Sequence, residues 1–483
     1  MPIIIKRKIR AIMLITNSER TKFFIKLFLF IALAIIFIEA CIFIPYGFSI
    51  IFLLILIIPM IVKIDYDRLN YILSFVILFA GFFGSYLGIP GNENIFLFRI
   101  LIPVHLMILI FKQKKEWKRI KFVKWFFISY ALFLFCMVLT LFWTPSISLS
   151  IRYLYFTFEW LYVIFLCAYY INNIKAFHQF SRMLSIIYIA ILGIGLFETL
   201  TGIHLPQSGS YYYITTTSQF QPTGFLLNTN DFASEITILF PFVILTLLRI
   251  KKRWLCVFSI LAVSSIALYL VIMTYSRVSM IVILLELFIF MLSWSRIWTI
   301  ISLYVGGLAT TLFLSIAHSN LINNVYFIIV KAFTEKGGST SDRLEMYRIS
   351  WKFIQENPIQ GLGAGILPIK LDYYMYGFER LKDNYFSAHN YWLEALANGG
   401  LLAFVPLIIF FSLLFVYGIK FIFKNGFNPL TVIILLVLIS FISASVGLSN
   451  TVDKRHLSLG IGLAISMLNI YYFRKGEPDV RTS

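Results

Sequence analysis

The sequence predicts an all-α polytopic membrane protein, and three observations carry that prediction. First, 60% of its residues are hydrophobic and 18% aromatic while only 13% are charged, too few to cover the surface of a soluble protein. Mean hydropathy is accordingly high, at +0.87. Second, apolar segments of about 20 residues recur along the chain, each long enough to cross a bilayer. Third, Lys and Arg cluster at Lys6–Arg10, Lys112–Lys124, Arg249–Arg253 and Arg474–Lys475, each beside an apolar span. That is the positive-inside pattern, so the net charge of +19 points to anionic lipid headgroups in the bilayer and not to nucleic acid. The basic N-terminus runs into a full-length apolar segment without a small-residue cleavage site, so no cleavable signal peptide is expected.

Taken in order, hydropathy places spans near 23–43, 47–62, 71–89, 95–111, 122–143, 151–171, 182–201, 231–249, 254–274, 278–292, 297–317, 390–418, 430–448 and 457–473. The expected total is about 12 to 14 transmembrane helices. With both termini in the cytoplasm, the basic loops fall inside, and the loops at 143–150, 202–230, 318–389 and 449–456 fall outside. The chain then divides into N-terminal spans (1–180), spans at 181–317 with the outer loop 202–230, an extracytoplasmic cap loop (318–389), C-terminal spans (390–473) and a cytoplasmic tail (474–483). The four cysteines, Cys41, Cys136, Cys167 and Cys256, all lie in apolar segments at unrelated spacings. They read as small hydrophobic residues, not as a disulfide framework or a metal site.

The cap loop has legible local structure. Asp342 with Glu345 three residues on has the form of a capping box opening a helix. Leu344, Tyr347, Trp351 and Ile354 recur at helical spacing as one apolar face, and Asn357-Pro358 ends it. This predicts a short amphipathic helix with Arg343 in its first turn, where exposed amides favour an anion. In the loop 202–230, Pro222 and Gly224 set a turn, and Asn230 or Asp231 is placed to cap the following helix. Thr274-Tyr275-Ser276-Arg277 joins two spans with almost no loop, and an arginine there either snorkels to the interface or binds an anion.

Several signals are set aside. Asp65-Tyr-Asp67 has the metal-holding Asp-x-Asp spelling, but in a loop of about eight residues it reads as a solvated turn. Gly361-x-Gly-x-Gly365 follows a surface helix instead of a strand, so the dinucleotide fingerprint fails on context. No His/Glu cluster has zinc spacing. Glu39, Glu159 and Glu286 are scattered intramembrane acids, and Glu159 lies seven residues after Arg152, with which it could pair along a helix face.

The order of the motifs matters more than any one of them. Pro-x-Gly and Asn228-x-Asn230 precede a span, and Ser276-Arg277 opens another. A long external loop carries Arg343-x-x-x-Tyr347 and Trp351, then Pro358-x-x-Gly361-x-Gly363-x-Gly365, and closes with His389-Asn390 and the downstream pair Gly399-Gly400. Over residues 180–470 this resembles the O-antigen ligase and polymerase superfamily, membrane glycosyltransferases of bacterial envelope polysaccharides. The resemblance implies a GT-C-like architecture in the cytoplasmic membrane, with short helices in the large outer loop. It also implies a metal-independent, cofactor-free, inverting transfer of glycan from a polyprenyl-diphosphate-linked oligosaccharide to an acceptor glycan on the outer face. A chain-length regulator or a flippase is a further expected partner.

Lipopolysaccharide ligases of the superfamily tend to carry Gly-x-x-Gly-Thr-Thr after the loop histidine. Here Gly400-Leu-Leu-Ala403-Phe-Val lacks the second glycine and both threonines, which favours a repeat-unit polymerase or a ligase to another acceptor. A composition rich in Ile, Lys, Phe and Asn points to an AT-rich genome and suits capsule, exopolysaccharide or teichuronic-acid-like polymers.

Glycosyl transfer from a diphosphate needs the leaving group's charge stabilised, and guanidinium groups bind phosphate oxygens bidentately. Arg277 and Arg343 are the candidate cations, with Arg348, Arg380 and Arg455 in reserve. Asn228, Asn230 and Asn390 are candidate sugar- or diphosphate-binding groups. His389 closes the loop and is the candidate general base, since an imidazole near its reference pKa of about 6.5 accepts protons at neutral pH. The competing reading makes His389 a helix-start residue bonded to a backbone carbonyl. A flippase or other transporter would instead depend on the intramembrane acids, and would not require a 70-residue cap.

Overall fold

Eleven of the fourteen expected spans have helices at their places in the structure, a computed structural model that describes residues 65–88, 96–208, 219–297, 337–376 and 387–473. The expected spans at 23–43, 47–62 and 297–317, the C-terminal tail, Glu39, Cys41 and Arg380 lie outside the described residues. Among the described residues there is no strand, only a bridge between Gly88 and Phe96. Helices satisfy every backbone group within the segment, as hydrocarbon demands. Eight of them are long and apolar enough to cross a membrane, and the protein is an all-α, multi-pass membrane protein.

The described helices are α1 (Tyr66–Phe83), α2 (Leu97–Phe111), α3 (Lys124–Leu139), α4 (Ile147–Tyr170), α5 (Ile174–Thr201), α6 (Thr229–Leu247), α7 (Arg253–Met273) and α8 (Arg277–Trp294). They continue with α9 (Gly337–Glu356), α10 (Leu367–Tyr376), α11 (Tyr391–Asn425), α12 (Ile433–Gly447) and α13 (Arg455–Met467), which runs on as a π-helical turn over Leu468–Phe473.

Two compact units divide at Lys114. In the first, α1 and α2 pair, and Asn70 Nδ2 donates to Gln113 Oε1 at 2.6 Å. Asp65 caps α1 by accepting from the Asp67 backbone at 3.0 Å, and Asp67 accepts from the Lys114 backbone at 3.1 Å. The Asp-x-Asp spelling is thus spent on a capped turn.

In the second unit α11 packs along α3 and α13 along α4, while α6 touches α5, α7, α8, α12 and α13. The apolar stretch of α6 is 83% buried against 33% for α7 and for α8, so α6 is the central helix and α7 and α8 face the lipid. α8 and α12 meet at mid-length, where Glu286 Oε1 and Ser440 Oγ lie 2.5 Å apart. Cys136, Cys167 and Cys256 are buried free thiols, as their apolar settings predicted.

The cap helix is real, but three details of its sequence reading change. It begins at Gly337, so Asp342 and Arg343 lie inside it and no capping box opens at Asp342. Arg343 therefore lies beyond the first turn, where the free amides would have favoured an anion. The buried face is Met346, Ile349, Ser350 and Ile354, whereas Leu344 and Trp351 are 62% and 51% exposed. The expected stripe was rotated by about one residue because the helix docks on the α11 side chains Leu393, Leu396 and Ala397. Asn357-Pro358 does end it.

Candidate functional site

Four joints hold one end of the second unit's helices, and the first two of them are scaffolding. The first is the glycine run. Leu362 N donates to Ala397 O and Gly363 N to Asn398 O, both at 2.9 Å. Ile366 N and Leu367 N both donate to Asn398 Oδ1, at 3.1 and 2.9 Å. Ala364 N donates to Thr140 Oγ1 at 2.9 Å, and Ser150 Oγ donates to Ala364 O at 2.7 Å. Gly361 and Gly400 both have positive φ, and a Cβ on Gly361 would lie 2.5 Å from Asn398 O. The glycines are therefore required for backbone to approach backbone where α11 kinks at Gly400. The amides of Gly361 and Gly363, like those of Leu362, Ala364, Ile366 and Leu367, are engaged by protein groups and form no phosphate cradle.

The second joint is the turn into α13. Lys454 Nζ reaches Asp231 Oδ2 at 2.8 Å and Asp453 Oδ1 at 3.0 Å. Burial works against the ammonium, yet the two carboxylates hold its pKa above the ordinary value. Arg455 Nε lies 3.9 Å from Glu159 Oε2, and His456 Nε2 lies 2.8 Å from Ser234 Oγ. The sequence offered Arg152 as a possible partner for Glu159 along one helix face; in the structure Arg152 lies over the Phe156 ring at 5.9 Å. Arg455, a reserve diphosphate cation, is drawn toward a buried acid because α13 packs along α4. Nothing in the sequence separated these residues from an ordinary loop, although three consecutive basic or imidazole residues between two apolar spans were a signal to follow.

The third joint is His389. With Tyr275 it is one of two non-glycine residues among the described ones with positive φ, at 48° and 55°. Such backbone costs about 1 kcal/mol or more and concentrates at functional sites. Tyr347 donates through its hydroxyl to His389 O at 3.2 Å, which ties α9 to the corner. His389 N donates to Ser387 Oγ at 3.1 Å. The His389 Nδ1 and Arg343 Nε atoms are both buried without a hydrogen-bond partner. Burial first, then the Arg343 guanidinium, push the imidazole's pKa down to about 4, opposed by a hydrogen bond with the Leu448 backbone. His389 is therefore neutral at neutral pH and a weaker base in this state than an ordinary histidine.

The remaining sequence candidates divide by use. Asn390 caps α11, its Oδ1 accepting from Trp392 N and Leu393 N at 3.1 and 3.2 Å. Asn228, not Asn230 or Asp231, caps α6, accepting from Asn230 N at 2.8 Å. The cap lies earlier than expected because Asp231 turns to Lys454. Arg348 is exposed on α9.

Arg277 opens α8 directly after Tyr275 and the cap residue Ser276. α8 and α12 run antiparallel, since their far ends share a groove at Trp294 and Pro429. From the Glu286–Ser440 contact, Arg277 and Leu448 each lie about 12–14 Å further along in the same direction. Arg277 and the His389 corner therefore reach the same end of the bundle.

The fourth joint was missed altogether. In the loop after α5, Glu198 Oε2 accepts from Thr223 N and Gly224 N at 2.7 and 2.8 Å, and its Oε1 lies 3.3 Å from His204 Nδ1. His204 Nε2 lies 2.7 Å from Gln219 O. Burial disfavours the imidazolium, but Glu198 and the Gln219 carbonyl raise the His204 pKa overall. A glutamate at the end of an apolar span was the available clue.

Comparison with known proteins covers several of these residues. A family model described as O-antigen ligase matches residues 262–408, a stretch that includes Arg277, Arg343, Arg348, His389 and Asn390. The chain is also 23% identical over 415 residues to the teichuronic acid biosynthesis protein TuaE of Bacillus subtilis (strain 168), covering 82% of this chain and 83% of that one. Both matches bear out the resemblance to the O-antigen ligase and polymerase superfamily. They support, broadly, a cell-surface polysaccharide polymerase or ligase of the glycosyltransferase type.

Proposed function

We propose that this chain polymerises a bacterial cell-surface polysaccharide. Glycan passes from polyprenyl-diphosphate-linked repeat units to an acceptor sugar at the outer face of the cytoplasmic membrane, with both termini inside and a GT-C-like mode of action. The observation that carries the reading is the corner where Arg343 and His389 meet with one nitrogen each left unmatched, at the end of the bundle that Arg277 also reaches. Unmatched buried donors cost stability unless something fills them. A diphosphate and a sugar hydroxyl are ligands of the right kind.

In this mechanism Arg277 and Arg343 hold the donor diphosphate, and Arg348, Asn228, Asn230 and Asn390 lie among the groups that surround the sugars. The acceptor hydroxyl oxygen attacks C1 from the face opposite the leaving group. Its proton passes to the His389 imidazole as the C1–O bond breaks, and the electron pair leaves with polyprenyl diphosphate, inverting the anomeric centre. The bound diphosphate offsets the Arg343 charge and lifts the imidazole back toward its ordinary range, so the base strengthens only when the donor is in place. The guanidinium groups supply the charge stabilisation that a divalent cation supplies elsewhere.

A ligase to another acceptor is the second reading, favoured by the description of the matching family. The test is a transfer assay on the purified chain in lipid, with polyprenyl-diphosphate repeat units, a chelator, and His389→Ala as control. A ladder of lengthening glycans that the control lacks supports the polymerase. A single addition that needs a second acceptor indicates the ligase, and donor crossing the bilayer without product overturns both in favour of a flippase.

A further inference from the structure

Away from the site, α6, α7 and α8 enclose an apolar groove of about 800 Å³, within the range of sites that take sizeable ligands. Phe240 and Ile244 of α6, Val257 and Leu261 of α7, and Phe290 and Trp294 of α8 are among its walls. It lies at the end of α8 remote from Arg277, because Trp294 and Ser295 line it. It opens toward lipid, since Trp254, Phe258 and Leu261 on α7 are each more than 60% exposed.

Two features distinguish it from ordinary bilayer-facing surface. Arg253 is the charged residue in its lining, stands at its rim, and has no ion-pair partner among the described residues. It closes the basic run that begins at Arg249 and includes Lys251 and Lys252. Deeper in, Ser264 lines the groove with a hydroxyl that is buried and unpartnered, a group that a matching acceptor would stabilise.

From this arrangement we propose that the groove is a binding site for one anionic phospholipid of the leaflet opposite the Arg277 end, its phosphate at Arg253 and its acyl chains along α7 and α8. A cation at the interface above an apolar trench fits a molecule with an anionic head and hydrocarbon tails. Each basic residue near an anionic headgroup contributes enough to change occupancy about fivefold. The occupant would brace the two helices whose other ends meet at Tyr275 and Arg277.

The test uses the full chain in phosphatidylcholine nanodiscs doped with phosphatidylglycerol carrying brominated acyl chains, which quench nearby tryptophan. The Trp294 signal is taken as the difference between wild type and Trp294→Phe. The expected result is quenching at a several-fold lower mole fraction than brominated phosphatidylcholine needs. That preference should shrink about fivefold in Arg253→Gln, return in Arg253→Lys, and weaken in about 0.5 M salt. Equal quenching by the two lipids, or an unchanged preference in Arg253→Gln, overturns the site and leaves the groove as ordinary bilayer contact. Neither result depends on transferase activity, so the proposal stands or falls apart from the assigned function.

Discussion

The glycine run docks on α11 at Ala397–Gly400 and the His389 corner leads into the start of the same helix, and they use their backbone in opposite ways. Around Gly361–Gly365 the amides of Gly361, Leu362, Gly363, Ala364, Ile366 and Leu367 have protein acceptors, and Asn398 holds two of them with one oxygen while its own Nδ2 is buried without a partner. At His389 the backbone is in the left-handed region, and one nitrogen of the histidine and one of Arg343 are buried without a partner. Matched groups make a scaffold rigid, while unmatched groups on strained backbone cost stability and persist where a ligand completes them. The loop whose spelling most resembles a phosphate-binding motif is thus the scaffold, and the plainer corner is the candidate site.

The largest effect that would sharpen this contrast is on turnover. His389→Ala is expected to lower transfer about 100- to 10,000-fold with thermal unfolding little changed, read by glycan ladders beside a melting curve. The same corner sets a pH expectation. An imidazole held at about 4 stays a neutral base down to that pH, so the acid limb of kcat/KM lies near 4 instead of near 6.5. An acid limb at the ordinary value would mean that neither burial nor Arg343 depresses the imidazole.

Gly361→Ala comes next, and its loss is in folding. Its Cβ would sit 2.5 Å from Asn398 O and Gly400 N on backbone with φ of 71°, so about 3 kcal/mol or more of stability should go. Detergent thermal denaturation measures it, and a protein of wild-type stability without activity would reverse the roles given to the two regions. Asn398→Ala should cost about 1–3 kcal/mol, because it strands the amide of Leu367 and leaves Ile366 N only its 3.2 Å bond to Gly363 O. The same melting experiment reads it, together with protease cutting near α10.

A smaller effect concerns the loop after α5. The His204 pKa is raised in the fold, so its stabilisation is fully present below the unfolded value of about 6.5 and is lost as pH rises through the folded value. Proteolysis within 202–230 should quicken between pH 6 and pH 9 in wild type, and His204→Gln should flatten that dependence. The smallest effect on stability is that of His389→Gly, which relieves a positive φ and should raise stability by about 1 kcal/mol while lowering transfer as far as His389→Ala does. A loss of stability there would mean that the histidine side chain holds the corner together.

Much of the frame was legible because it rests on local chemistry. Hydrocarbon leaves backbone groups no partner but their own helix, so long apolar runs located eleven helices and the basic clusters marked their ends. The end of the cap helix at Asn357-Pro358 and the asparagine starting α11 followed from proline sterics and capping. The order of motifs drew attention to Arg277, Arg343 and His389.

Tertiary contact decided what sequence spacing left open. Which face of α9 is buried depended on the α11 side chains beneath it, not on the hydrophobicity of Leu344 or Trp351. Whether Arg455 faces a diphosphate or Glu159 depended on α13 lying along α4. The shift in His389 arises from burial and from a guanidinium 46 residues away in sequence. Sequence alone fixes what each segment can satisfy within itself. Partners far apart in the chain are chosen by packing, because charge, desolvation and steric contact act through distances that only the folded bundle sets.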